Sequence, residues 1–150
     1  MKEGPAISQS LAGRNIVVLA FPNYQELELW YPVLRAREEG AGVHVVGPSD
    51  GPCESFLGYP LLPDARAEAI DLDDVDALAV PGTVSGRPAA SIEQVALIRA
   101  AHAAGLPVFA SGTGAELVGE LGLGIPSDRV APDADGLPEL VRRLRAELAG

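Results

Sequence analysis

The chain is poor in the residues from which reactive or cationic sites are usually built. Among 150 residues there is one cysteine, Cys53, two histidines, His44 and His102, and a single lysine. One cysteine excludes an internal disulfide and suits a reducing compartment, so a cytoplasmic location is expected. Positive charge is scarce as well. Eleven Lys and Arg stand against 21 Asp and Glu, and the net charge of −10 argues against a nucleic-acid or anionic-membrane partner. No apolar run approaches the roughly 18 residues of a membrane span. The opening MKEGPAISQSLAGR (1–14) lacks the apolar stretch of a secretory signal and reads as a loose N-terminal arm. No metal or cofactor is expected.

What is present describes an ordinary globular domain. Hydrophobic residues make up 47% and charged residues 21%, and 150 residues can bury a real core as one domain, placed at 15–150. Arg outnumbers Lys ten to one, and Ala, Gly and Pro are abundant, the skew of a GC-rich bacterial genome.

NIVVLAF (15–21) is a short, continuous, β-branched run, as expected of a strand buried on both faces. YQELELWYPVLRAREEG (24–40) follows as a helix closed by Gly40, with Leu27, Trp30 and Leu34 at helical spacing, Tyr31 and Val33 beside them, and Pro32 early enough to be tolerated. GVHVVG (42–47) is the second strand, YPLLPD (59–64) an extra extended piece, and VDALAVPG (75–82) the third parallel strand. SIEQVALIRAAHAAG (91–105) is a helix capped by Ser91, with Ile92, Val95, Leu97 and Ile98 on its apolar side. LPVFAS (106–111) is the fourth strand, TGAELVGELGLG (113–124) a helix, and GLPELVRRLRAELAG (136–150) a last amphipathic helix. Strands alternating with helices predict right-handed βαβ units and a mostly parallel sheet between helical layers. Ligands of such sheets bind outside the carboxyl ends of the strands, where FPNYQELE, VPGTVSG and ASGTG meet.

The ASGTG turn admits three readings. Thr113 and Glu116 have the spacing of a capping box. A phosphate cradle is disfavoured because Gly112-x-Gly114 lacks a third glycine and Glu116 would repel an anion. A serine elbow needs glycine where Phe109 stands, and neither histidine lies at the carboxyl edge of the sheet, so no Ser-His-acid triad is expected. His44 reads as a packed strand residue, His102 as a solvent-facing one, and Cys53 as a bystander thiol. Glu28, between Leu27 and Leu29 near the end of the first strand, is the candidate acid/base, since apolar surroundings disfavour a charged carboxylate. By pattern alone, a surface glutamate is the competing reading.

In order and spacing, residues 15–123 resemble the ThiJ/PfpI family of the class I glutamine amidotransferase-like folds. ELELWYP, LAVPG and GLPVFAS carry the likeness. The resemblance implies a flavodoxin-like three-layer α/β sandwich, a helix glutamate at Glu28 facing an elbow cysteine, and an oxyanion pocket that includes the amides of Gly82 and Thr83. It also implies a homodimer. Three departures follow. Gly112-Thr113-Gly114 stands where family members commonly read Cys-His-Gly, so no nucleophile is available at the elbow. Thr83 replaces a second glycine. The segment LGIPSDRVAPDAD (123–135) is too short for the family's further strands, which implies a sheet shortened at its C-terminal edge and an added reason to associate.

Two functions are consistent with this pattern. One is a non-catalytic descendant that binds a small molecule or serves as a scaffold. The other is a cysteine-independent isomerase, hydratase or lyase on a small metabolite. In it Glu28 is general acid/base, and Ser111, Thr113 and the amides of Gly82, Thr83 and Gly112 hold an oxygen. Cysteine-dependent protease, deglycase or glyoxalase-like activity is not expected.

Overall fold

In the computed structural model, which describes residues 9–84 and 86–149, the elements run β1 (Asn15–Leu19), α1 (Glu26–Glu38), β2 (Gly42–Gly47), β3 (Cys53–Glu54), β4 (Pro60–Leu61), β5 (Ala65–Arg66), β6 (Ala77–Val80), α2 (Ile92–Ala103), β7 (Val108–Ser111), α3 (Thr113–Glu120), β8 (Val130–Ala131) and α4 (Leu137–Ala149). Six strands form one parallel sheet in the order β5-β2-β1-β6-β7-β8, and β3 and β4 form a separate antiparallel hairpin.

The continuous apolar strands make this a two-sided sheet, because successive side chains point to opposite faces. Ile16, Val18, Ala79 and Phe109 face α1 and α4, packing on Leu29, Val33, Leu140 and Leu144. Val17, Leu19, Leu78, Val108 and Ala110 face α2 and α3, packing on Leu97, Ile98, Leu117 and Val118. This is the expected three-layer, flavodoxin-like sandwich. The parallel order reverses direction between β1 and β6, so their carboxyl ends open the crevice in which such sheets place their sites.

Several expectations need correction. Leu27 and Leu34 are exposed, and the face of α1 turned to the core is Glu28, Leu29, Pro32, Val33 and Ala36. Pro32 is the seventh residue of α1, and the helix continues through it to Glu38. The Ser91 cap forms as a full capping box with Gln94, but Ile92 points to solvent. His44 is exposed and lines an open groove with Asn15, Ile70 and Asp71, so it is not the packed strand residue expected. The arm is loose only as an expectation for residues 1–8, which lie outside those described. Leu11 is fully buried, and its amide donates to the Glu39 carbonyl at 2.9 Å.

The shortened edge does carry a strand. β8 adds two residues beside β7, and the ion pairs of Arg129 with Glu147 and of Asp128 with Arg143 tie the segment before it to α4. Arg129 also stacks 5.8 Å from the Phe109 ring centroid, a cation–π contact. No helix among the described residues is long and apolar enough to cross a membrane.

Candidate functional site

Three chain reversals at the carboxyl ends of β1, β6 and β7 build the site. The first leads into α1, whose amino end is capped by Gln25: the Gln25 side chain accepts the Glu28 amide at 2.7 Å. That cap was not signalled by the usual Ser, Thr, Asp or Asn. It fixes the first turn, so that Glu28 points inward, 7% exposed, over the ends of β6 and β7.

The Glu28 carboxylate is held by two donors. Its Oε1 accepts the Gly82 amide at 2.9 Å and the Ser111 hydroxyl at 3.1 Å. Gly112 lies directly opposite with φ +53° and ψ −133°, a sharp strand-to-helix reversal at little cost only for glycine. A Cβ placed on Gly112 would stand 2.6 Å from each Glu28 carboxylate oxygen. The same crowding surrounds Gly82, where a Cβ would meet the Thr113 amide nitrogen at 2.6 Å, and Gly114, where it would meet the Val80 carbonyl at 2.1 Å. The absence of a side chain at Gly112 therefore opens no space above Glu28, because the carboxylate fills it.

Thr113 behaves differently from a capping residue. It is the first residue of α3, the cap position belongs to Gly112, which has no side chain to offer, and Glu116 is exposed. Its hydroxyl instead accepts the Thr83 amide at 2.8 Å and lies 3.2 Å from the Thr83 hydroxyl, which itself donates to the Gly86 carbonyl at 2.9 Å. Thr83 is thus a working part of the joint between the second and third reversals.

The structure brings together all six residues that the sequence singled out: Glu28, Gly82, Thr83, Ser111, Gly112 and Thr113. The donors expected to hold a ligand oxygen are, however, engaged within the chain. The Gly82 amide serves Glu28, the Thr83 amide serves Thr113, and the Gly112 amide donates to the Ala131 carbonyl of β8 at 2.8 Å. Beneath the carboxylate, Pro32, Phe109, Leu140 and Leu144 line a void of about 10 Å³, room for no more than one water. Cys53 lies in β3 away from the elbow, and burial pushes its thiol up to about 11. It is a packing residue with little thiolate.

One residue that sequence reasoning missed is Gln94, which is fully buried. Its side-chain amide donates to the Ala20 carbonyl at 2.9 Å and the Val46 carbonyl at 3.1 Å, clamping α2 onto the ends of β1 and β2. Its position three residues after Ser91 was the available signal.

Comparison with known proteins bears on the fold and the family. Over 67 residues, 45% of this chain and 40% of each relative, the sequence is 36% identical to an uncharacterized protein of Archaeoglobus fulgidus and 34% identical to a deglycase of Thermococcus kodakarensis. The matched segment is thus under half the length of either relative. Drosophila melanogaster DJ-1beta superposes with a TM-score of 0.79 at 18% identity, covering 92% of this chain and 91% of that one. A DJ-1 superfamily protein of Agrobacterium tumefaciens gives 0.65 at 23% identity, covering 73% and 58%. At these identities the two structures speak for the fold alone. Residues 14–125 match the DJ-1/PfpI family model, three quarters of the chain and every element that builds the elbow, and the protein belongs to the DJ-1/PfpI family.

Proposed function

We propose that this protein is a non-catalytic member of its family, a scaffold in which the elbow has become a structural joint. The observation that carries this reading is the occupancy of the donors: the Gly82 amide is spent on the Glu28 carboxylate and the Thr83 amide on the Thr113 hydroxyl. Electrostatic catalysis needs donors aimed at the charge that develops on the substrate. Here the Gly82, Thr83 and Gly112 amides are satisfied before any ligand arrives. Gly112 brings no nucleophile, and a void of about 10 Å³ leaves no metabolite-sized space under the carboxylate. Of the two non-catalytic roles, the scaffold is therefore favoured over small-molecule binding at the elbow.

One observation favours a second reading, in which Glu28 is the general acid/base of a cysteine-independent isomerase, hydratase or lyase. It is buried, and it shares a 3.1 Å contact with the Ser111 hydroxyl, as a positioned acid/base would. Turnover assays separate the two. Relatives of this chain include deglycases, so glycated amino acids, together with a panel of small keto and hydroxy acids, are the substrates to test. The scaffold reading predicts rates equal to buffer for the wild type. A rate above buffer that disappears in Glu28→Gln supports the acid/base reading and contradicts the scaffold.

A further inference from the structure

A groove of about 420 Å³ opens beside β2, where the void under Glu28 holds only about 10 Å³. No residue of the elbow lines it. Asn15 at the start of β1, His44 in β2 and Ala65 in β5 form one side, and the connector from β5 to β6 forms the other. His44 pairs in register with Val17, so the two side chains leave the same face of the sheet. Val17 is covered by the core, whereas His44 stays exposed in the groove.

The connector holds carboxylates at the rim. From Asp64 to Asp76 the chain has six acidic residues and one basic residue, Arg66. Three of the acids are matched: Asp64 by Arg37 at 3.8 Å, Glu68 by Arg66 at 2.7 Å and Asp76 by Arg14 at 3.7 Å. Asp71, Asp73 and Asp74 have no basic partner among the described residues. Asp71 and Asp74 line the groove, and a short helical turn fixes them there. The Asp71 side chain accepts the Asp73 amide at 3.0 Å, and its carbonyl accepts the Asp74 amide at 3.0 Å. Across from them, the side chains of His44 and Asn15 make no hydrogen bond among the described residues.

We propose that this groove binds a small organic cation, an ammonium or guanidinium group carried on an apolar body. Its size falls within the roughly 300–1,000 Å³ of small-molecule sites, which combine an apolar lining with a few convergent polar groups. Ala65, Ile70 and Val75 supply the apolar lining. The sign of the ligand follows from the rim. An anion would meet Asp71, Asp74 and the field of a chain of net charge −10. A neutral apolar molecule would take water from both carboxylates and return no partner. A cation gains from the same two groups, and His44 and Asn15 remain for a polar substituent on its body. None of this involves Glu28, so the inference goes beyond the scaffold reading, and its failure leaves that reading where it stands.

Hexylamine, hexanoate and hexanol share one chain length and differ in charge. Titrating each into the full chain at constant pH and ionic strength, followed by NMR of the imidazole signals, tests the proposal. The chain has two histidines, so His44 reports on the groove and His102, in α2 and outside it, is the internal control. Hexylamine is expected to shift the His44 signals saturably and leave His102 unmoved, with hexanoate and hexanol at least about tenfold weaker. High salt weakens the hexylamine response. Asp71→Asn/Asp74→Asn weakens it about tenfold, and Asn at position 71 still accepts the Asp73 amide. Should the double variant misfold, Asp74→Asn alone decides, since that carboxylate bonds to nothing among the described residues and its loss still weakens hexylamine about threefold. Hexylamine that leaves His44 unmoved overturns the proposal. So does a response matched by hexanoate or hexanol, or one that the Asp→Asn variants leave unchanged.

Discussion

Gly112→Ala probes the elbow most sharply, because two independent penalties converge on one methyl group. The first is the backbone. At φ +53° an L-residue pays about 1–3 kcal/mol for an unfavoured conformation. The second is the collision. The new Cβ would stand 2.6 Å from both Glu28 oxygens, so the carboxylate must retreat and give up the Gly82 amide and the Ser111 hydroxyl. Hydrogen bonds to a charged group contribute about 1.5–3 kcal/mol. Together the cost is about 3–5 kcal/mol, a large share of the roughly 5–15 kcal/mol by which a domain is stable. At about 2–4 °C per kcal/mol for a chain of this size, the thermal midpoint falls by about 6–20 °C.

Urea denaturation of wild type, Gly112→Ala, Glu28→Ala and the double variant forms the complete cycle. In the Glu28→Ala background only the backbone penalty remains, so the cost of Gly112→Ala drops by about 2 kcal/mol. A Gly112→Ala variant less than about 1 kcal/mol weaker than wild type, outside even the backbone penalty, refutes the reasoning. So does a cost that is the same with and without Glu28. The same geometry implies that Gly112→Cys does not install a nucleophile without first displacing the carboxylate.

Gln94→Leu removes the donor that satisfies the Ala20 and Val46 carbonyls and dismantles the capping box of α2. It is expected to lower the stability measured in urea by about 2–3 kcal/mol, whereas Ile92→Ser, at a residue 84% exposed, is close to neutral. Cys53 is predicted to react slowly with iodoacetamide at pH 8 in the folded protein and quickly in denaturant, because burial raises its thiol from 9.0 to about 11. The sign for stability follows. The folded state keeps its proton longer than the unfolded one, so this contribution is complete below pH 9 and is lost as the pH climbs towards 11. Cys53→Ser abolishes that slope in a pH series of urea titrations.

Much of the fold was legible because a parallel sheet covered on both faces demands continuous apolar strands, and 15–21, 42–47 and 75–82 announce themselves that way. The meeting place of FPNYQELE, VPGTVSG and ASGTG was legible too, since such segments follow the carboxyl ends of the parallel strands, whereas Gly82 and Thr83 were singled out only through the family resemblance. What misled was periodicity without direction. Leu27 and Leu34 share a helical face, but spacing alone does not say whether that face meets the core or a partner. The core-facing side of α1 contains Glu28 and Pro32, residues that a hydrophobicity pattern scores as polar or disruptive. The hydrogen-bond closure of the elbow was out of reach for a related reason. A main-chain amide looks free in a sequence, and only the fold shows that Thr113, from another segment, accepts the one on Thr83. Short elements were the other loss: β5 and β8 are two residues each and depend on the neighbouring strand rather than on their own composition.

The central claim is that the Gly82, Thr83 and Gly112 amides at the elbow are already satisfied within the chain. Native-state hydrogen exchange of the Gly82, Thr83 and Gly112 amides, followed residue by residue by NMR, tests it most directly. The account predicts that all three are protected well beyond exposed loop amides, and that Glu28→Ala selectively releases Gly82 while Thr83 stays protected through Thr113. Exchange of Gly82 and Thr83 at the rate of an exposed loop would contradict it, and would return the elbow to the status of an open binding pocket.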